Sequence, residues 1–343
     1  MQPITAQTVK NWGHQLGFDR VGIAPAVPVD AQRQVAYHDY LADGRFGEMT
    51  YLARNVAMRL DPRKLLPGAQ SIICVAVNYY YADTPPDQPD DSAGIPPAPA
   101  TATGESKQPQ RTGKVARYAW GRDYHHVIKS RLKTLSRKIQ QAAPQTRLRC
   151  FVDTAPLAER EHAARAGIGW IGKHGLVLHQ KIGSWLLLGS LLTDLSLEPD
   201  TPATDHCGSC TRCLDACPTD AFIGPQQLDP RKCISYLTIE SRKPIPDRLK
   251  HPTGNWIFGC DVCQEVCPFN RRAPQTQDAD FAPRPQWSAI DLHQARSFTD
   301  ASFSQRFTGS ALERTSAAHL ADVAEVCREN LQNNRGQGPS DPL

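Results

Sequence analysis

Eleven cysteines occur in the chain, and eight of them lie between residues 207 and 267. The first four follow the pattern Cys-x2-Cys-x2-Cys-x3-Cys-Pro between Cys207 and Pro218. Bacterial ferredoxins hold 4Fe–4S clusters with this run, and its fourth cysteine binds the other cluster of the pair. A second run, Cys-x2-Cys-x3-Cys-Pro, ends at Pro268 and lacks its first cysteine, for which Cys233 is the available substitute. The spacing therefore predicts two 4Fe–4S clusters and a redox protein.

The eight thiols divide into two sets of four when the last cysteine of each run is exchanged between the clusters. The predicted sets are Cys207, Cys210, Cys213 and Cys267 for one cluster, and Cys217, Cys233, Cys260 and Cys263 for the other. Zinc is the competing interpretation, because zinc sites also use Cys-x2-Cys pairs. A run of four closely spaced cysteines fits one tetrahedral zinc poorly, so the pattern favours iron–sulfur clusters.

The rest of the sequence predicts an α+β protein. Residues 70–80 are rich in β-branched and aromatic side chains and predict a buried strand. Residues 126–143 have apolar residues at helical spacing and predict an amphipathic helix with a basic outer side. The predicted division is a first domain at 1–195, a cluster module at 196–275, and a tail at 276–343 with one short helix and a disordered end. Within the first domain, residues 82–113 are too poor in apolar side chains to fold and predict a flexible insertion.

Neither a membrane span nor a secretory signal is visible in the sequence. No stretch approaches the roughly 20 consecutive apolar residues of a membrane helix, and residues 1–17 lack a basic region followed by an apolar run. We therefore expect a cytoplasmic protein with no membrane partner. Such a protein keeps its thiols reduced, which favours metal binding over disulfides for the dense cysteine group.

Positive charge is concentrated in one segment. The net charge is only +4, yet residues 107–149 contain twelve Lys or Arg residues and a single acid, Asp123. Basic residues clustered in this way can form a phosphate-contacting surface. A solvated helix face is the alternative interpretation.

Four further segments carry unusual combinations of residues. They are residues 58–67 (MRLDPRKLLP), 118–126 (YAWGRDYHH), 152–160 (VDTAPLAER) and 167–173 (GIGWIGK). Together with the cysteine module, including the displaced Cys233, they resemble the epoxyqueuosine reductase family. The resemblance extends from about residue 10 to about residue 315.

The resemblance implies an oxidoreductase of tRNA modification in queuosine biosynthesis. Members of this family use two 4Fe–4S clusters and cobalamin, a cobalt cofactor, to reduce epoxyqueuosine at the wobble position of tRNA to queuosine. The implied fold is a nitroreductase-like, reductive-dehalogenase-like cobalamin-binding domain joined to a ferredoxin-like two-cluster module. The implied partners are tRNA with epoxyqueuosine in its anticodon loop and an external electron donor of the flavodoxin or ferredoxin type. We expect a monomer, since nothing in the sequence suggests an obligate dimer.

Asp153 is the expected catalytic acid. The family's proton donor falls on this residue of the Val-Asp-Thr motif, and an acid that protonates the leaving oxygen contributes about 100- to 10,000-fold to the rate. Asp153 ends an apolar strand, so we expect partial burial to raise its pKa and keep the carboxyl protonated. Helix capping is the alternative, because Asp is a preferred N-cap and a helix is predicted from Ala155.

The remaining site residues follow from the resemblance. It places Tyr124 and Arg160 in the substrate pocket, while Arg59 and Lys173, with Asp153, suit contacts with cobalamin. A half-buried tyrosine and surface cations are the alternatives for these positions. Two tryptophans near glycine turns, Trp120 and Trp170, are candidates for stacking on a splayed base, and core packing is equally expected of them.

Two other functions are compatible with the cysteine module. A cobalamin-dependent reductive dehalogenase-like enzyme would act on a small molecule, but such proteins normally carry a twin-arginine export signal, and none is present here. A ferredoxin-like electron-transfer protein without catalysis of its own would leave about 200 residues before Cys207 without a role. Cobalamin binding distinguishes both enzymes from the ferredoxin, and tRNA binding distinguishes the reductase from the dehalogenase.

Overall fold

The computed structural model describes residues 4–82 and 112–336. Its strands are β1 (Arg20–Pro25), β2 (Ser71–Asn78), β3 (Thr112–Val115), β4 (Leu148–Phe151), β5 (Trp170–Ile171), β6 (Val177–Leu178), β7 (Leu186–Thr193), β8 (Phe222–Gly224), β9 (Gln227–Leu228), β10 (Trp256–Phe258) and β11 (Ala289–Asp291). Besides several short 3-10 turns and a π-helix at Tyr236–Glu240, its α-helices are α1 (Ala6–Gln15), α2 (Ala31–Ala42), α3 (Val56–Leu60), α4 (Tyr124–Ala142), α5 (Glu159–Arg165), α6 (Arg212–Asp215), α7 (Asp247–Thr253), α8 (Val262–Glu265), α9 (Pro285–Ser288), α10 (Leu292–Ser297), α11 (Asp300–Phe307) and α12 (Ala317–Gly336).

An antiparallel sheet of order β1-β2-β7-β4 organises the first part of the chain. Every residue of β2 is buried, as the apolar run predicts. Alternate side chains of β2 enter two different cores: Ile73 and Val75 pack with α1 and α4, and Ile72 and Cys74 pack with α5. This alternation follows from the two-residue period of a strand. The sheet is therefore a middle layer between helices, which accords with the predicted α+β class.

Helix α4 packs closely against β7 because the strand has a glycine, Gly189, where the apolar face of the helix meets it. A Cβ at Gly189 would lie 2.7 Å from the Ile128 side chain, so the glycine allows the close approach. Ile128, Leu132, Leu135 and Ile139 are all fully buried, and burying each contributes about 1.5–3 kcal/mol. The predicted amphipathic helix is confirmed, with its start two residues earlier than expected.

A second sheet joins the three predicted units to one another. Its order is β10-β3-β11, with β10 parallel and β11 antiparallel to β3. Strand β3 begins at Thr112, within the last two residues of the predicted insertion, while residues 83–111 lie outside the described part of the chain. The central strand comes from the first predicted domain, and its neighbours come from the module and the tail.

Residues 276–336 contain helices α9 to α12, whereas the sequence predicted a tail with one short helix. Helices α9 to α12 pack with β3, β10 and the segment around Leu237 in one large core, to which Phe303, Phe307 and Leu320 contribute. The helix predicted near 316–330 is present as part of α12. The aromatic residues of this segment are spaced irregularly along the sequence, so only the tertiary contacts show that they share a core. Of the predicted disordered end, residues 337–343 lie outside the described part of the chain.

Each cysteine run contains one short helix, α6 in the first and α8 in the second. The module contacts the first domain through Trp170, whose indole Nε1 lies 3.4 Å from the Cys207 Sγ. Trp170 also packs edge-on against Phe269, beside Cys267. Among the described residues, no helix combines the length and the hydropathy that crossing a membrane requires.

Candidate active site and cluster sites

A cavity of about 1030 Å³ lies between the 31–60 segment, the turn at 153–161 and the start of β7. This volume is at the upper end of the range for small-molecule and cofactor sites, roughly 300–1,000 Å³. Of the predicted site residues, Arg59, Tyr124, Asp153 and Arg160 line the cavity. The structure thus brings together residues that are up to 101 positions apart in the sequence.

Lys173 does not line the cavity with the other predicted residues. Its ammonium donates a 2.7 Å hydrogen bond to the carbonyl of Gly208, in the turn of the first cysteine run. The turn at residues 172–175 directs His174 toward the cavity instead, so the cobalamin contact expected of Lys173 is not supported by its position.

Asp153 follows β4 and has a left-handed backbone, with φ of 56°. This conformation costs a residue with a side chain about 1–2 kcal/mol, and a side-chain acceptor compensates locally: the Asp153 N–H donates a 3.0 Å hydrogen bond to Glu159 Oε2. Helix α5 begins at Glu159 with Ala158 as its N-cap, so the capping alternative for Asp153 is wrong. Pro156 and the short turns between residues 152 and 159 delay the helix by four residues relative to the prediction.

Two side chains from the start of α4 contact the Asp153 carboxylate. The Tyr124 hydroxyl donates to Asp153 Oδ2 at 3.1 Å, and His125 Nε2 lies 3.5 Å from the same oxygen. The other ring nitrogen of His125 lies 2.8 Å from Asp123 Oδ1. Asp123 is also the N-cap of α4, where it accepts from the His125 N–H at 2.9 Å. The cap therefore fixes where the helix begins and which residues face Asp153.

The expectation of a raised pKa at Asp153 is wrong. The hydrogen bond from His125 lowers the pKa of Asp153 against the opposing effect of burial, and the His125 charge and the Tyr124 hydroxyl lower it further. The side chain is 62% exposed although protein surrounds it on several sides, because it faces the cavity. The hydrogen bonds therefore outweigh desolvation, and the carboxylate is ionised at neutral pH.

Two groups next to Asp153, Glu159 and His125, have raised pKa values and hold protons at neutral pH. Burial, followed by the negative charge of Asp153, raises the pKa of Glu159 to about 8. Burial lowers the pKa of His125, but the hydrogen bonds and charges of Asp123 and Asp153 outweigh it and raise the value to about 9. An ionised carboxylate beside protonated groups is an arrangement typical of acid–base sites. The sequence analysis missed Asp123, His125 and Glu159, although all three lie within the segments that carry the resemblance.

Several polar atoms of the cavity wall are buried and have no hydrogen-bond partner among the described residues. They are Arg59 Nε, His174 Nε2 and Glu159 Oε1. The Nδ1 atom of His174 accepts from the Leu176 N–H, so the hydrogen of its neutral ring lies on Nε2. Buried polar groups in proteins are normally hydrogen-bonded. These orphaned atoms fit a large ligand that offers both donors and acceptors, such as a corrinoid with amide side chains.

The tail contributes a residue that sequence reasoning did not identify. Arg314 lines the cavity, pairs with Glu240 at 3.0 Å, and is one of the charges that lower the pKa of Asp153. Its guanidinium also lies over the Tyr51 ring, 5.9 Å from the centroid. Because the tail was expected to be separate from the first domain, the sequence offered no signal for this position.

Within the described residues, thiols of each predicted set lie near enough to one another to influence each other's pKa. Burial, and then the nearby thiols of Cys267, Cys207 and Cys210, raise the pKa of Cys213 to about 11. In the second group, burial and then the thiols of Cys233 and Cys217 raise the pKa of Cys260. Burial, followed by the thiols of Cys233 and Cys260, also raises the pKa of Cys263. Backbone N–H groups also point at the sulfurs, as at Cys217, which accepts from Ala221 at 3.3 Å. Such donors stabilise thiolates that bind metal, so the donor sets fit two clusters.

Within the described part of the basic segment, four arginines are paired inside the protein. Arg117, Arg122, Arg131 and Arg147 form ion pairs with aspartates. Lys129, Lys133 and Arg137 remain exposed on α4. Both candidate stacking residues are buried, since Trp120 and Trp170 are 8% and 4% exposed, and they take the core-packing role. The phosphate-contacting surface expected from the sequence is therefore smaller than the charge count suggests.

Comparisons with known proteins agree with this arrangement. The family model described as "Epoxyqueuosine reductase QueG, DUF1730" matches residues 59–154, and the model described as "4Fe-4S double cluster binding domain" matches residues 206–270. The epoxyqueuosine reductase of Gloeobacter violaceus is 40% identical over 325 residues, which cover 93% of this chain and 94% of the relative. That of Salmonella typhimurium is 42% identical over 317 residues, covering 90% and 76%.

A solved structure has the same fold. The crystal structure of an epoxyqueuosine reductase with an epoxyqueuosine-modified tRNA-Tyr stem loop superimposes with a TM-score of 0.82 at 28% identity, covering 96% of this chain and 82% of that one. The predicted α+β fold with a two-cluster module is thereby confirmed, and iron–sulfur clusters rather than zinc are the metal centres of the matched module.

Proposed function

Since the chain belongs to the epoxyqueuosine reductase family, we propose that it reduces epoxyqueuosine at the wobble position of tRNA to queuosine. The observation that carries the proposal is the cavity wall on which an ionised Asp153 lies between two protonated groups, His125 and Glu159. Converting an epoxide to an alkene breaks two C–O bonds, consumes two electrons and two protons, and releases water. The site holds two protons next to one carboxylate, which matches this requirement.

The cofactors supply the electrons. Arg59, His174 and Asp153 are the residues that would hold cobalamin, because they present donors and an acceptor to the cavity and two of them have buried atoms in need of partners. When bound, cobalamin and the two 4Fe–4S clusters supply the two electrons of the reduction. The eight cysteines in their two sets of four would hold the clusters.

The side chains of the chain itself move and position the protons. In the proposal, Asp153 Oδ2 receives a proton from His125 Nε2, 3.5 Å away, and delivers it to the epoxide oxygen. The proton held by Glu159 is the second one that this oxygen needs to leave as water. Tyr124 orients the carboxylate through its 3.1 Å hydrogen bond, and Glu159 keeps the Asp153 backbone in place. Arg160 donates to the carbonyl of Gly175 at 2.5 Å and presents a cation at the cavity, where it would contact the substrate.

An anaerobic turnover assay tests the proposal. Cluster-loaded protein with cobalamin, a strong reductant and epoxyqueuosine-containing tRNA is expected to give queuosine, detected by mass spectrometry of the digested nucleosides. Asp153→Asn keeps the shape of the side chain and should lower kcat by at least about 100-fold, whereas Asp300→Asn, at an exposed position on α11, should not. Equal activity of the two variants would remove Asp153 from the mechanism, and a wild-type protein that is inactive with all cofactors bound would contradict the function.

The proposal also covers the electron donor, the location and the oligomeric state of the protein. Its electron donor is of the flavodoxin or ferredoxin type, its location is cytoplasmic, and it acts as a monomer. Size-exclusion chromatography with light scattering tests the last of these, and reduction of the clusters by a purified flavodoxin tests the first.

A further inference from the structure

A buried carboxylate lies between two predicted cluster ligands. Asp261 separates Cys260 from Cys263 and is only 1% exposed. It accepts hydrogen bonds at Oδ2 from the backbone N–H of Arg117 at 2.8 Å and from the guanidinium of the same residue at 3.3 Å. A backbone donor and a cation therefore converge on one oxygen of this buried carboxylate.

Arg117, the donor of both hydrogen bonds, lies in the predicted first domain, in the turn that follows β3. Its guanidinium lies between the rings of Trp120 and Trp185, at 5.2 and 5.3 Å from their centroids, and also donates to Glu265 Oε1 at 2.7 Å. The residue is 7% exposed. The position of the cation is therefore fixed by packing, and it joins the first domain to the cysteine module.

The two cysteine runs differ at this position. When their Cys-x2-Cys-x3-Cys-Pro portions are aligned, Asp261 corresponds to Thr211, and the exposed Asp215 of the first run corresponds to Glu265. The carboxylate of Asp215 accepts from the Thr211 hydroxyl at 2.6 Å. Only the second run, within the described residues, combines the cysteine spacing with a buried acid and its own arginine.

Burying an ion pair is a poor way to stabilise a fold, because the desolvation cost offsets most of the attraction. Its effect on a neighbouring redox centre is larger, since charges in a protein interior are weakly screened. Reduction adds one electron to a cluster, so a nearby carboxylate opposes it and a nearby guanidinium favours it. Net charge and hydrogen bonds are among the factors that set cluster potentials.

We propose that the Arg117–Asp261 pair sets the reduction potential of the cluster held by Cys217, Cys233, Cys260 and Cys263, and separates it from the potential of the other cluster. The inference depends on the proposed ligand set and on no property of the substrate. The negative charge of Asp261 makes this cluster harder to reduce. The positive charge of Arg117 weakens this effect, and the extent depends on how the first domain docks on the cysteine module.

The test is an EPR-monitored reductive titration of cluster-loaded protein, with neither tRNA nor cobalamin present. Asp261→Asn should shift the midpoint potential of one cluster to a more positive value and leave the other unchanged. Arg117→Gln should shift the same cluster in the opposite direction. Asp215→Asn is the matched control, because its carboxylate lies two residues from the predicted ligands Cys213 and Cys217 but is exposed and screened by solvent, so it should shift neither potential appreciably.

Three results would overturn the inference: unchanged potentials in Asp261→Asn, equal shifts of both clusters, or shifts of the same sign in the Asp261 and Arg117 variants. If Asp261→Asn fails to retain its iron, the comparison of Arg117→Lys with Arg117→Gln decides, since only the glutamine should move the potential. A wild-type protein that binds both clusters but reduces no tRNA would contradict the proposed function and leave this inference standing.

Discussion

Replacing Glu159 by Gln should change how the stability of the protein depends on pH. Gln keeps an oxygen that can accept from the Asp153 N–H, as Glu159 Oε2 does at 3.0 Å, but it cannot ionise. In the wild type, burial and the Asp153 charge raise the pKa of Glu159 from 4.5 to about 8. A pKa raised by folding means that the folded state binds the proton more tightly than the unfolded state does.

The magnitude follows from this difference. The stability associated with the bound proton is fully present below pH 4.5 and is lost as the pH rises through about 8. At 1.36 kcal/mol per pKa unit, the whole effect is about 5 kcal/mol. Between pH 6 and pH 8 the wild type should therefore lose about 2 kcal/mol relative to Glu159→Gln.

Thermal unfolding followed by tryptophan fluorescence measures this difference at the two pH values. A change of about 2 kcal/mol corresponds to roughly 3 °C in the relative midpoint for a chain of 343 residues. Glu161→Gln is the control, since Glu161 lies on the same helix with its side chain 24% exposed and its carboxylate 3.5 Å from Arg33. Parallel pH dependences for the wild type and Glu159→Gln would refute the idea that Glu159 holds a proton at neutral pH.

Three further predictions follow from the site. His125→Asn removes the proton donor whose pKa is raised to about 9, so the alkaline limb of the kcat profile should move to lower pH, and an unchanged profile would exclude His125 as the proton source. Cys233→Ser should remove about four of the eight iron atoms, by the usual content of two cubane clusters, while Cys150→Ser should retain all of them; equal iron contents would contradict the ligand set. Reversing the charge of the exposed residues Lys129, Lys133 and Arg137 on α4 should weaken tRNA binding. The slope of log affinity against log salt should fall by about one per lost phosphate contact. An unchanged slope would place the tRNA elsewhere.

The parts of the fold that could be predicted are those that local sequence specifies. The β2 strand is a continuous run of buried residues, and α4 has four apolar residues at helical spacing. The two-cluster module follows from the cysteine spacing, and the matching family model over residues 206–270 bears it out. Each of these signals lies within about 20 residues of sequence or depends on one residue type.

The parts that could not be predicted depend on contacts between distant segments. Strand β3 has only four residues and is paired by β10 and β11 from much later in the chain, so its surroundings gave no local signal. Arg314 reaches the cavity only because the tail packs on that sheet. The charge of Asp153 depends on His125, to which the sequence analysis assigned no role.

The basic segment shows why charge counts are an unreliable guide to a binding surface. Its arginines are bound to aspartates that lie far away in sequence, such as Arg131 to Asp278 and Arg147 to Asp194. Lys129 and Lys133 on α4 end in compact ammonium groups on flexible stems and remain exposed. Guanidinium groups suit fixed bidentate pairing better than ammonium groups do, which accounts for this division of roles.

The most direct test of the central claim is made in cells. The chain is expressed in a bacterial strain that lacks its own epoxyqueuosine reductase and accumulates epoxyqueuosine in its tRNA, and the nucleosides are analysed by mass spectrometry. The account predicts that queuosine replaces epoxyqueuosine with the wild-type chain and that Asp153→Asn leaves epoxyqueuosine in place at equal protein level. Persistence of epoxyqueuosine with the wild-type chain, when the purified protein contains both clusters and cobalamin, would contradict the account.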